Sequence, residues 1–221
     1  MPDLSFVVEG ADPVPYAVAP TLALKLRVGN AGPEERIESV ILQCQIQIEA
    51  TRRRYETGEQ PRLHDLFGEP ERWSRTLRTM LWTNASVNVR PFTGTTLVDL
   101  NVPCTFDFNV AATKYFHALE GGEVPLALLF SGTIFYDDGE RGLQISQIPW
   151  SKEAHYRLPV AVWRQVIDHY YPNTSWLTLR RDVFDRLYEF KMRNSIPTWE
   201  QAVEQLLSKQ KEIEHEGSKP F

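Results

Sequence analysis

An α+β fold, mainly an antiparallel β-sheet or β-sandwich with C-terminal helices packed on it, is predicted by a change of rhythm along the chain. From Leu4 to about Ile148 the apolar residues recur mostly at every second position, and from Pro159 onward at helical spacing. The alternating stretches put apolar groups on one face and polar groups on the other, the habit of antiparallel sheets with one wet side. At 221 residues, 42% hydrophobic and 24% charged, the chain has the composition of a globular protein with a sizeable core. The expected organisation is an antiparallel β domain over 1–157 with an inserted loop and helix at 51–80, and a helical part of the same domain over 158–221.

Leu4 to Val8 reads as a first strand, closed by Pro13, Pro15 and Pro20. Leu22, Leu24, Leu26 and Val28 alternate with Ala23, Lys25 and Arg27 as a half-buried strand requires. Asn30-Ala31-Gly32-Pro33 is a turn. Val40, Leu42, Cys44, Ile46 and Ile48 then share a face opposite Gln43, Gln45, Gln47 and Glu49. The stretch from Arg52 to Met80 breaks the rhythm; it reads as a polar excursion with a short helix around Glu71 to Met80.

Strands resume at Leu81 to Val89. The next run sets Val98, Leu100, Val102, Cys104, Phe106, Phe108 and Val110 against Asp99, Asn101, Thr105, Asp107 and Asn109, with Pro103 implying an edge or a bulge. Ala111 to Leu119 is expected to form a helical turn ended by Gly121-Gly122. VPLALLFSGTIFY, apolar on both faces, suits a central strand, and Asp137-Asp138-Gly139 a hairpin turn before Leu143, Ile145 and Ile148.

Three helices follow. Pro159 suits a first helical turn, with Val160, Trp163, Val166, Ile167 and Tyr170 as its stripe until Pro172-Asn173. Asp182 to Met192 carries Val183, Phe184, Leu187 and Tyr188. Thr198-Trp199-Glu200-Gln201 is a capping box leading to Val203, Leu206 and Leu207, and the charged tail from Ser208 is expected to fray.

A net charge of -5 gives no field for general nucleic-acid binding. The N-terminal MPDLSFVVEGADP lacks a basic n-region and an apolar core, and no segment reaches the roughly 20 apolar residues of a membrane span. A cytoplasmic protein is expected, with Cys44 and Cys104 buried and reduced. No G-x-S-x-G elbow, phosphate loop or G-x-G-x-x-G is present, and His64, His117, His155, His169 and His215 lack metal-ligand spacing to one another. Asp137-Asp138-Gly139-Glu140 reads as a turn rather than a calcium loop. No catalytic, cofactor or metal-binding residue is therefore assigned. An enzyme would need a site assembled from scattered groups such as Asp107, His117 and Arg78.

Partner contact is the better expectation. Arg52, Arg53 and Arg54, with Arg62, Arg72, Arg75 and Arg78, form a local basic cluster in the excursion, either a solvated face or a site for an acidic protein patch. The C-terminal half is dense in aromatics, which anchor interfaces when they do not fill cores. The candidate partner-binding residues are Arg52, Arg53, Arg54 and Trp73 in the excursion, and Tyr171, Trp176 and Phe190 in the helical part.

Two resemblances bear on this. The segments PCTFDFNVAATKYFHALEGGEVPLALLFSGTIFY, IPWSKEAHYRLPVAVWRQVIDHYYPN and PTWEQAVEQLL resemble an uncharacterised, mainly actinobacterial family whose members often lie near nickel–iron hydrogenase genes. That resemblance implies an accessory role beside a hydrogenase subunit or its precursor and carries over no catalytic residue. More distantly, Arg157-Leu158-Pro159 opening a helix, the extended Trp176-Leu177-Thr178-Leu179, Phe184-Asp185-Arg186-Leu187-Tyr188, and Ser131-Gly132-Thr133-Ile134-Phe135 are similar to the SecB export-chaperone family. The stretch from Arg52 to Tyr115 has no counterpart there. The function expected is non-enzymatic binding of a protein partner without a cofactor. The alternatives are a chaperone holding unfolded clients on a contiguous apolar patch, and an enzyme with a scattered site.

Overall fold

A computed structural model describes residues 2–217. Contact density divides the chain into two compact units, 1–174 and 175–221. In the first unit the alternating segments become eight antiparallel strands. β1 (Leu4–Pro13), β2 (Thr21–Asn30) and β5 (Thr95–Pro103) form a three-stranded sheet in the order β1-β2-β5. β3 (Ile37–Ile48), β4 (Met80–Val89), β6 (Glu123–Asp137), β7 (Leu143–Gln147) and β8 (Glu153–Pro159) form the second, in the order β4-β3-β6-β7 with β8 also paired to β6.

The alternation explains the layering. Phe6 lies opposite Val28, Val8 opposite Leu26, Leu24 opposite Leu100 and Leu22 opposite Val102, so one face of the first sheet is apolar and buried. Leu42, Cys44 and Ile46 of β3 do the same beside Phe130 and Leu128 of β6. The two faces meet in a sandwich, with the Phe6 and Phe130 rings stacked 4.2 Å apart. Full burial of each large side chain contributes about 1.5–3 kcal/mol before entropy is counted. β6 is central, as its two apolar faces require, and β5 with Pro103 is an edge strand.

Several expectations are corrected. The long run ending at Val110 does not stay extended: β5 stops at Pro103, a turn closes with Phe108 N–H on the Thr105 carbonyl, and α3 (Val110–Ala118) begins. Asn109 competes with the strand. Its side chain accepts from Ala112 N–H and caps the helix, while its amide donates to the carbonyls of Leu81 and Trp82. The excursion holds two single-turn helices, α1 (His64–Phe67) and α2 (Trp73–Thr76), because Gly68 at φ 70° and Pro70 interrupt any longer one. β8 adds a strand the alternation of Ala154, Tyr156 and Leu158 could have signalled. Pro159 ends that strand and stands just before α4 (Val160–Tyr170) rather than inside it.

α4 buries Val160, Trp163, Val166 and Ile167 and packs on β1, β2 and β8. Its Trp163 stacks on Phe116 of α3, which in turn meets Trp82, closing one end of the sandwich. In the second unit α5 (Arg181–Arg193) and α6 (Trp199–Gly217) pack on each other. Gln201 N–H donates to Thr198 Oγ1, half of the expected capping box. α6 runs on through the charged stretch where fraying is expected, and 218–221 lie outside the described residues. Cys44 and Cys104 are buried and unbridged, each thiol pushed up to about 12 by burial, so both stay protonated.

Gly132 in the middle of β6 has φ 142°, and a Cβ there would lie 2.0 Å from the Ile41 carbonyl oxygen. Gly132→Ala should therefore lose about 2–4 kcal/mol, whereas Gly139→Ala, in an open turn at φ 76°, meets only conformational strain of about 1–2 kcal/mol. Urea unfolding of the two variants checks this; equal midpoints would contradict it.

Candidate binding surfaces

The arginine run leaves β3 through a short 3-10 turn, and its three members meet different fates. Arg52 ion-pairs with Glu49 at 3.0 Å on the surface. Arg53 is buried against Glu59 at 2.8 Å, and also donates to the carbonyls of Gly121 and Glu123. Glu59 in turn accepts from the backbone N–H groups of Glu56 and Glu120. A buried pair with its remaining donors and acceptors satisfied in this way is a staple tying the excursion to the turn before β6. Arg53 is thus not available to a partner. Arg54 is exposed, with no side-chain partner among the described residues.

Trp73 belongs to the same internal structure. Its Nε1–H donates to the Gly68 carbonyl, and its ring meets Tyr55 at 5.2 Å and Phe67 at 6.2 Å. Tyr55 donates to the Ala50 carbonyl and lies 2.9 Å from the Tyr115 hydroxyl, which is left to donate to it. Burial raises both phenols, Tyr115 to about 12. The cleft beside this cluster, about 810 Å³, is lined by Arg52, Arg53, Arg54 and Arg157 and by Glu56, Glu59, Glu120 and Glu123. Equal numbers of opposite charges leave it no net field to draw an anion.

The seven candidate residues are divided between the two units. Arg52, Arg53, Arg54 and Trp73 share the excursion. Tyr171 is half-buried at the end of α4; Trp176 and Phe190 are half-buried in the second unit, Phe190 beneath Lys209 at 5.5 Å. The scattered polar groups form no bonded set. Asp107 lies in the turn before α3, Arg78 is exposed ahead of β4, and His117 on α3 packs edge-on to Trp163 at 5.0 Å. No hydrogen bond or ion pair links the three. Burial, then Arg164, lowers the His117 pKa from 6.5. Asp137 and Asp138 spend oxygens on the N–H groups of Gly139, Glu140 and Arg141, as a plain turn does. Among the described residues no three His, Cys, Asp or Glu side chains gather as a metal site needs, and no helix is long and apolar enough to cross a membrane.

A different surface stands out. β6 bonds β8 along 123–129 and β7 along 133–137. Between them Ile148 N–H reaches the Gly132 carbonyl and Phe130 N–H reaches the Lys152 carbonyl, so 149–151 loop outward. Trp150 rides on that loop at 92% exposure. Beside it a groove of about 600 Å³ crosses the outer face of the second sheet, lined by Gln43, Gln45, Asn84, Ser86, Leu129 and Ser131. Register explains the set: Gln43 lies between Ser86 and Ser131, and Gln45 between Asn84 and Leu129. These amide and hydroxyl side chains carry no charge and make no hydrogen bond within the described protein. Ile41 at 47% exposure continues the face on β3. The glutamines of the β3 alternation are its sequence trace. Trp150 had none, because only the break between β7 and β8 turns it outward.

The sequence model of the family of unknown function DUF6084 matches residues 1–215, and the chain belongs to that family. Among curated proteins none matches. The chain is similar in structure to a candidate late embryogenesis abundant (LEA) protein solved in solution, with a TM-score of 0.30 and 15% identity over 72% of this chain and 73% of that one. It also overlaps β-glucosidase 3B from Thermotoga neapolitana, with a TM-score of 0.25 and 10% identity over 71% of this chain but 17% of that one. Overlaps this partial carry no inference about function.

The staple makes a measurable claim. Arg53→Met strands a buried Glu59 and should lose about 3–5 kcal/mol, whereas Arg52→Met should lose at most about 1 kcal/mol. Equilibrium urea unfolding distinguishes them; similar small losses would show that the buried pair is not a staple.

Proposed function

We propose that this member of the family is a non-enzymatic accessory or assembly protein that holds a protein partner against the outer face of its five-stranded sheet. The observation that carries the reading is Trp150, exposed over 92% of its surface beside a neutral groove of unpaired amides and hydroxyls. An aromatic anchor surrounded by uncharged hydrogen-bonding groups is the composition of an interface centre, whereas a solvated face carries Lys and Glu. The sequence resemblance to proteins encoded near nickel–iron hydrogenase genes makes a hydrogenase subunit or its precursor the first partner to test, in the cytoplasm. Trp150→Ala should leave folding stability within about 0.5 kcal/mol and weaken the partner by about 2 kcal/mol, roughly thirtyfold. Purification of the native complex followed by titration of both forms checks this. Unchanged affinity would remove the groove from the account.

A second reading, a chaperone for unfolded clients, is favoured by the helical unit. Phe184 and Tyr188 cluster on Trp199 while Met192, Leu206 and Leu207 remain 57%, 42% and 56% exposed. On that reading the chain suppresses aggregation of an unrelated client, and Met192→Asp with Leu207→Asp abolishes the effect. Suppression that survives both changes would exclude these helices as the client site.

A further inference from the structure

We propose that β7 is a self-pairing edge, and that two copies of this chain join there as antiparallel neighbours centred on Ile145. The argument begins with where the backbone groups point. Ile148 N–H bonds to the Gly132 carbonyl on β6, and Asp138 N–H to the carbonyl of Gly142. The even-numbered residues of this segment therefore turn their polar groups toward β6. By alternation the N–H and C=O groups of Leu143, Ile145 and Gln147 face away from it. Among the described residues β7 pairs with β6 alone.

An edge left in this condition is unusual, since exposed strand edges are normally guarded by charge, proline or a bulge. The edges of the first sheet are guarded: β1 carries Glu9, Asp12 and a register shift between Val8 and Gly10, and β5 carries Asp99 and Pro103. β7 reads LQISQ, with no charge, no proline and no bulge, and Leu143 and Ile145 are 63% and 64% exposed.

The occupant follows from the edge's own chemistry. It must be extended, about five residues long, neutral, and able to present three outward donor–acceptor pairs. β7 itself is such a segment. With Ile145 opposite its own copy, Leu143 of each chain lies opposite Gln147 of the other. Every outward N–H and C=O of the strand then finds a partner across the two-fold axis. A register centred one residue away would leave an end unpaired. The same arrangement brings the turn of Asp137, Asp138, Glu140 and Arg141 toward the end of the other β7, where Gln147, Ile148, Pro149, Trp150 and Ser151 carry no charge to oppose it. The contact is isologous and closes on itself, so it gives a dimer and not a fibre.

Sedimentation equilibrium of the full chain from about 1 μM to about 1 mM should show the mass rising from 25.5 kDa to twice that value. Ile145→Pro removes an N–H that the monomer does not use, on an edge where proline is tolerated, and should raise the dissociation constant about tenfold or more with an unchanged circular dichroism spectrum. Ile145→Cys should form an interchain disulfide on mild oxidation, because a hydrogen-bonded antiparallel pair sets the Cα atoms about 5.5 Å apart. Cys44 and Cys104 are buried and do not compete. If Ile145→Pro fails to fold, the cysteine cross-link decides. A chain that stays monomeric throughout, or a dimer that Ile145→Pro leaves intact and Ile145→Cys does not cross-link, overturns the proposal.

Discussion

β6 runs fifteen residues through the middle of the second sheet, and nearly everything else is placed by what it bonds. On one side β3 follows it along eleven registered pairs; on the other, β8 takes its first half and β7 its second. Its inner face supplies Phe130 to the stack on Phe6, which holds the two sheets together. The approach of β3 is so close at Gly132 that no side chain fits there. A strand shared between two neighbours must have a seam, and at that seam the chain leaves the sheet and carries Trp150 outward. The surface proposed to bind is thus a consequence of the core's own hydrogen-bond plan.

The excursion between β3 and β4 is held to this framework differently. Burying Arg53 and Glu59 together would be costly without geometry to match, and the carbonyls of Gly121 and Glu123 and the N–H groups of Glu56 and Glu120 supply it. Small aromatic contacts among Tyr55, Phe67, Trp73 and Tyr115 complete the segment. The excursion keeps the solvated, basic surface its sequence suggests, with Arg54, Arg72, Arg75 and Arg78 exposed, and is tied down beneath it by the one buried pair of Arg53 and Glu59.

Period-2 alternation made β2 and β3 and their buried faces legible, because a strand with one face on a core buries every second side chain, while an apolar run on both faces marked β6 as central. It misled at Phe106 to Val110, where a single capping residue, Asn109, turns the chain into α3 although the apolar pattern continues. It was silent on Arg53, since burial of an arginine depends on a partner six residues on and on carbonyls about seventy residues away. The groove was half legible. The glutamines of β3 marked a wet face, but their register with Asn84, Ser86 and Ser131 is set by pairing across three strands, and Trp150 depends on the seam. The helices from Val160 onward were readable from their stripes and from the cap at Thr198.

The account turns on which surface meets the partner. Hydroxyl-radical footprinting of the native complex against the free chain addresses that directly, since an exposed indole is a sensitive reporter. The account predicts that Trp150 loses its reactivity on binding, with Ile41 and Leu129 following. Retention of full reactivity at Trp150, with protection confined to the arginine-bearing excursion or to α5 and α6, would contradict it.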